Sequence, residues 1–193
     1  MASHESNKLE KLKNKNKESA FNRQGYRVSC ETSHMYRNLR FYSEDYTDSI
    51  CDRDLVASMM PEFQRDNDNW NIDRKIKFVE NILAGYPTDI ILFTVKNSIM
   101  SDCRVIDGQQ RLTALDDWFK GKFPIHGDIY YSDIKRFKRS GFSSSRVSIV
   151  IHNFDSEVDA VNFYIDINEG ITHSSDDIER AKDYLKMKES ENG

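Results

Sequence analysis

The sequence predicts an α+β domain, a small mixed sheet flanked by helices and ending in a helix–turn–helix pair. Three observations carry this. The continuous apolar run "DIILFTV" (89–95) has the form of a strand covered on both faces. The stretch "RVSIVIHNF" (146–154) alternates and is β-branched, as a strand should be. Elsewhere apolar residues recur at helical spacing, and the chain closes on two such segments, 156–168 and 174–189.

The elements follow in order. Residues 1–22 are expected to be a disordered polar tail: Lys8, Lys11, Lys13, Lys15 and Lys17 stand against three glutamates, and nothing there can bury a face. Residues 23–190 then form a single domain. A strand is expected around Tyr26–Cys30, with no firm element in the Tyr- and Arg-rich stretch up to 50. "DRDLVASMM" (52–60) makes a short amphipathic turn or helix leading to Pro61. "NIDRKIKFVENILAG" (71–85) is a helix, with Ile72, Ile76, Val79, Ile82 and Leu83 at helical spacing, Asn71 as its cap, and Gly85 and Pro87 at its end. The strand 89–95 follows, then a turn over 96–102, then a strand "CRVI" (103–106). "QQRLTALDDWFKG" (109–121) is a second helix, stopped by Gly121. Residues 122–145 read as irregular. In the helix 156–168, Ser156 and Asp159 have capping-box spacing, with Asp in place of the usual Glu. The last helix begins with acids and ends with lysines, matching the helix dipole.

Composition narrows the function classes. A chain of 193 residues, 38% hydrophobic, can bury a core, and its net charge of −4 argues against a globally basic nucleic-acid binder. No apolar run approaches the ~20 residues that a membrane span needs, and the N-terminus has no signal-peptide stretch, so a cytoplasmic protein is expected. Cys30, Cys51 and Cys103 are unclustered and odd in number, which reads as free thiols, and the five histidines are scattered. A metal site built on His and Cys is not expected.

Chemistry concentrates at three turns. At the joint 107–111 a helix starts directly after a strand. Its unpaired N–H groups and dipole favour an anion, typically phosphate. Gly108 lets the backbone approach closely, and Arg111 can grip a phosphate with two parallel hydrogen bonds. Gln109 and Gln110 can orient a nucleotide or an attacking water. Asp107 can hold a divalent cation or accept a proton. The turn is not a P-loop, because the Gly-rich run and the Lys are missing. A second Gln–Arg pair, Gln64 and Arg65, stands in "PEFQRDNDNW" (61–70), again ahead of a helix. It would share an electropositive pocket with the joint if the flanking strands are neighbours. The third turn is "INEGITHSS" (167–175), where Asn168 ends one helix. Each turn taken alone also reads as an ordinary solvated corner.

The three together, "PEFQR" with Trp70, "DGQQRLTAL" and "IN-x-G", in this order from about Leu55 to Ala181, resemble the N-terminal module of GmrSD-type restriction endonucleases, of the ParB/sulfiredoxin superfamily. The resemblance implies a small ParB/sulfiredoxin-like fold that binds a nucleoside triphosphate with Mg²⁺ and, in several members, hydrolyses it. It places Asp107, Gly108, Gln109, Gln110 and Arg111 in the main site, joined by Gln64 and Arg65, with Asn168 at the edge. Two departures stand out. The long helical region and the H-N-H nuclease region of the family are not expected in this chain, and "ITHSS" replaces the Gly-rich turn that often follows "IN-x-G".

Three functions stay open. One is a nucleoside triphosphate hydrolase linked to DNA modification, restriction or its evasion. The second is a DNA-binding or nicking protein, resting on Lys135, Arg136, Phe137, Lys138, Arg139 and Arg146, with arginines and lysines on phosphates and Phe137 stacked on a base. The third is a non-catalytic protein that binds full-length relatives and inhibits them. A small version without a nuclease region suggests a phage or mobile-element origin, acting in the host cytoplasm.

Overall fold

The computed structural model describes residues 25–35, 38–39, 52–64, 70–95, 103–135, 145–169 and 175–191. The expected tail over 1–22, the turn at 96–102, Arg65 and the basic run 136–139 lie outside the described residues. The elements are β1 (Tyr26–Glu31), α1 (Asp52–Ser58), α2 (Ile72–Leu83), β2 (Asp89–Val95), β3 (Arg104–Asp107), α3 (Gln109–Phe119), α4 (Tyr131–Lys135), β4 (Arg146–Phe154), α5 (Glu157–Glu169) and α6 (Ser175–Glu191). The fold is α+β, with a four-stranded mixed sheet in the order β1-β4-β2-β3. β4 pairs antiparallel with β1 and parallel with β2, and β2 pairs antiparallel with β3.

Side chains alternate across β2 and β4 and so build two cores. Ile90, Leu92, Val147, Ile149 and Ile151 face one core, which α2 and α3 close with Val79, Ile82, Leu112, Leu115 and Trp118. Phe93 and Phe154 face the other, under α5 and α6. That second core is held by Phe63, whose ring packs 5.4 Å from Tyr164 and 5.8 Å from Tyr184. Burying one such side chain contributes ~1.5–3 kcal/mol.

The sheet is covered unevenly. α5 and α6 lie over the Phe93–Phe154 half of their face, while the other half carries a polar row. There Ser29 and Asp89 both pair in register with Ser148. Arg27 donates from Nη1 to Asp89 Oδ1 at 2.7 Å and to Ser148 Oγ at 2.6 Å.

Strand β3 is an edge of the sheet, and an open edge invites pairing with other chains. Here the segment after α1 covers it. The Val105 N–H donates to the Met59 carbonyl at 2.8 Å, and Gln64 Nε2 donates to the carbonyls of Val105 and Ile106 at 2.7 and 2.9 Å.

The local signals behave as their chemistry requires. Asn71 caps α2, its Oδ1 accepting from the Arg74 N–H at 2.9 Å. The Ser156–Asp159 box is reciprocal: Ser156 N–H donates to Asp159 Oδ2 at 3.1 Å, and Asp159 N–H to Ser156 Oγ at 3.2 Å. The stretch expected to be irregular contains order too short for periodicity to reveal. Ile125 and Ile129 form a bridge around a tight turn, and α4 adds five residues of helix.

Candidate functional site

Strand β3 passes into α3 through one residue, Gly108. Its φ of +96° lies in the left-handed region, where a side chain is strained. A Cβ there would also stand 3.3 Å from the Ile90 Cα and 3.5 Å from the Asp89 carbonyl oxygen. The glycine therefore lets the joint lie against β2. Gly108 is the N-cap of α3 and has no side chain with which to cap it. The first helical bond closes from Leu112 N–H to the Gly108 carbonyl at 2.8 Å, so the N–H groups of Gln109, Gln110 and Arg111 precede the ladder.

The side chains of the joint then diverge, because successive helical residues turn by about 100°. Arg111 turns back onto Asp107 and binds its Oδ2 through Nη2. The two side chains are 27% and 35% exposed. Gln110 points towards the start of α2, where its Oε1 accepts from the Trp70 N–H at 3.3 Å. Its Nε2 is buried without a hydrogen-bond partner among the described residues. The Trp70 ring lies 4.7 Å under the Arg74 guanidinium and edge-on to Phe78. Gln109 leaves on a third side, into a groove of about 640 Å³ along α3 that is also lined by Met60, Gln64, Thr113, Lys120 and Arg180.

The charges around the joint are coupled. The Arg27 hydrogen bond holds the Asp89 carboxyl below the usual carboxylate range against partial burial, helped by Ser148 and by the positive charges of Arg27 and Arg111. The Asp107–Arg111 pair thus adjoins the polar half of the sheet rather than the groove.

The structure brings Gln64 and Gln109 together along one groove and Asp107, Gly108 and Arg111 together at the joint. It gives Gln64 a second duty, since its amide nitrogen is committed to the β3 edge. Asn168 is buried and turns back on its own helix, with Nδ2 donating to the Tyr164 carbonyl at 2.6 Å. Arg146, expected at a DNA surface, ties β4 to β1. Its Nε donates to Ser29 Oγ and its Nη2 to the Ser29 carbonyl, each at 2.8 Å. Of the remaining basic cluster, the side chain of Lys135 and residues 136–139 lie outside the described residues. Sequence reasoning missed Arg27, Asp89, Ser148 and Arg180. The first three have partners remote along the chain, and no local pattern marks Arg180 as lining the groove. Among the described residues, no group of three His, Cys, Asp or Glu side chains forms a metal cage, and no helix is long and apolar enough to cross a membrane.

Compared with known proteins, residues 43–192 match a family model described as "GmrSD restriction endonuclease, N-terminal domain". No curated protein and no solved structure matches the chain.

Proposed function

Since the chain belongs to the family of the GmrSD restriction endonuclease N-terminal domain, we propose that it is a restriction-related module that binds a nucleoside triphosphate at the β3–α3 joint and hydrolyses it. The observation that carries this reading is Arg111. It stands in the first turn of a helix whose N-cap is a glycine, beside a carboxylate partner that is itself part-exposed. A triphosphate approaching the joint meets the leading N–H groups of α3 and the Arg111 guanidinium, which can exchange Asp107 for phosphate oxygens.

Hydrolysis then needs a positioned water and charge stabilisation. Gln109 orients the water, whose proton passes to a phosphate oxygen. The water oxygen forms a bond to the γ-phosphorus, the bond from that phosphorus to the bridging oxygen breaks, and its electron pair stays on the β-phosphate. Asp107 is the carboxylate that would hold a Mg²⁺ arriving with the phosphates. A single part-exposed carboxylate fits an ion that takes most of its ligands from phosphate and water. When bound, the ion supplies neutralisation of the phosphate charge.

The test is phosphate release from each of the common nucleoside triphosphates with Mg²⁺. Release by the unaltered chain and its loss in Arg111→Ala are expected. Release that continues unchanged in that variant would remove the joint from the chemistry.

A further inference from the structure

The groove beside Gln109 has walls from both helical layers. Thr113 belongs to α3 and Gln64 to the turn that covers β3, but Arg180 comes from α6, which packs on the opposite face of the sheet. Its position is fixed by its neighbours. Ala181 is fully buried in the second core, and Tyr184, one turn further along, is held against Phe63. Phe63 immediately precedes Gln64, so the contact that anchors α6 also sets Arg180 over the turn that lines the groove.

The charges of the groove are not equivalent. Lys120 is held by Asp116 and Lys122 by Asp117. Arg180 is exposed and makes no ion pair with a described residue. Glu62 is the remaining carboxylate on the lining. A guanidinium presented over an amide- and hydroxyl-lined wall is suited to a phosphate, which it can bind through two parallel hydrogen bonds.

We propose that Arg180 is a phosphate-gripping residue of the groove, contacting from the α6 side a triphosphate that runs from Arg111 at the joint past Gln109 into the groove. This rests on the nucleotide reading above. It adds a consequence that the joint alone does not have: the bound nucleotide ties α6 to α3 across the edge of the sheet.

The test compares the full chain with Arg180→Ala, Arg180→Lys and Arg111→Ala. Affinities for a nucleoside triphosphate and for the corresponding nucleoside, both with Mg²⁺, are measured by calorimetry. Loss of a charge-assisted phosphate contact should weaken triphosphate binding about 10- to 100-fold in Arg180→Ala. Nucleoside binding should stay unchanged, and Arg180→Lys should recover part of the loss. Triphosphate binding that is unchanged in Arg180→Ala but weakened in Arg111→Ala overturns this assignment and leaves the joint intact. Equal losses for triphosphate and nucleoside overturn it as well, because they show a groove that is deformed rather than a lost phosphate contact. Absence of triphosphate binding by the unaltered chain overturns both readings.

Discussion

Helix α3 has an acid–base pair four residues apart at each end, and the two pairs serve different purposes. Asp107–Arg111 straddles its start, and Asp116–Lys120 straddles its finish. Each places inside the helix a charge that the dipole disfavours, Arg111 in the first turn and Asp116 in the last, since the dipole favours acids at the N-terminus and bases at the C-terminus. α3 has neither, whereas α5 opens with Glu157 and Asp159. At the far end the offence is answered by burial and partners. The Asp116 and Asp117 side chains are only 7% and 9% exposed, and Lys75, Lys120 and Lys122 enclose them. At the near end the pair stays part-exposed beside a left-handed glycine. A local rule broken and fully compensated marks structure. The same rule broken and left open marks a place where a ligand can complete the compensation.

The comparison breaks most sharply at Asp117. Its carboxylate accepts from Lys75 Nζ at 2.7 Å and from Lys122 Nζ at 2.6 Å. Asp117→Ala leaves Lys75 with its ammonium largely buried and this partner gone, and should cost about 3 kcal/mol, read as a lower urea midpoint. Acid should act on the same pair. Burial opposes ionisation of Asp117, but the hydrogen bonds from Lys122 and Lys75 outweigh it and hold the carboxyl below the ordinary carboxylate range. A depressed folded-state value stabilises the fold above the unfolded value, and the stabilisation disappears as pH falls through the folded one. The contribution should therefore be complete at neutral pH and fade below about pH 4. Asp117→Asn should flatten that part of the stability–pH profile.

The same contrast explains what could be read from the chain in advance. Strand β2, the caps at Asn71 and Ser156 and the joint at Gly108 depend on residues close in sequence, and their patterns are local. Gln64 was expected at the ligand because it stands beside Arg65. It also closes a sheet edge, reaching carbonyls 41 and 42 residues away, and no local pattern announces that. The Arg27–Asp89 pair spans 62 residues and exists only because β4 brings β1 and β2 to either side of Ser148. Asn168 is expected in a ligand motif and also donates to the carbonyl one turn earlier, a contact the motif does not announce. Side chains whose partners are set by sheet order cannot be assigned before that order is known.

Gly108 tests whether the joint must be open. Gly108→Ala places a Cβ in a left-handed backbone and close to Ile90 and Asp89. The conformational strain should cost about 1–2 kcal/mol. The variant should also lose phosphate release beyond what its stability loss explains, because the first turn of α3 would shift from β2. A variant as active as the original would mean that the close approach serves packing alone.

The smallest expected effect on stability is the most informative. Arg111→Gln removes the charge and keeps most of the side chain. A part-exposed ion pair contributes about 0–1 kcal/mol, so the urea midpoint should barely move. Triphosphate binding should nevertheless be lost. Asp117→Ala should instead show a large fall in stability. If Arg111→Gln instead unfolds the chain as Asp117→Ala does, the two ends of α3 are equivalent structural clamps. The arginine at the joint would then be held for the fold, and a phosphate would have to compete with a contact the protein cannot release.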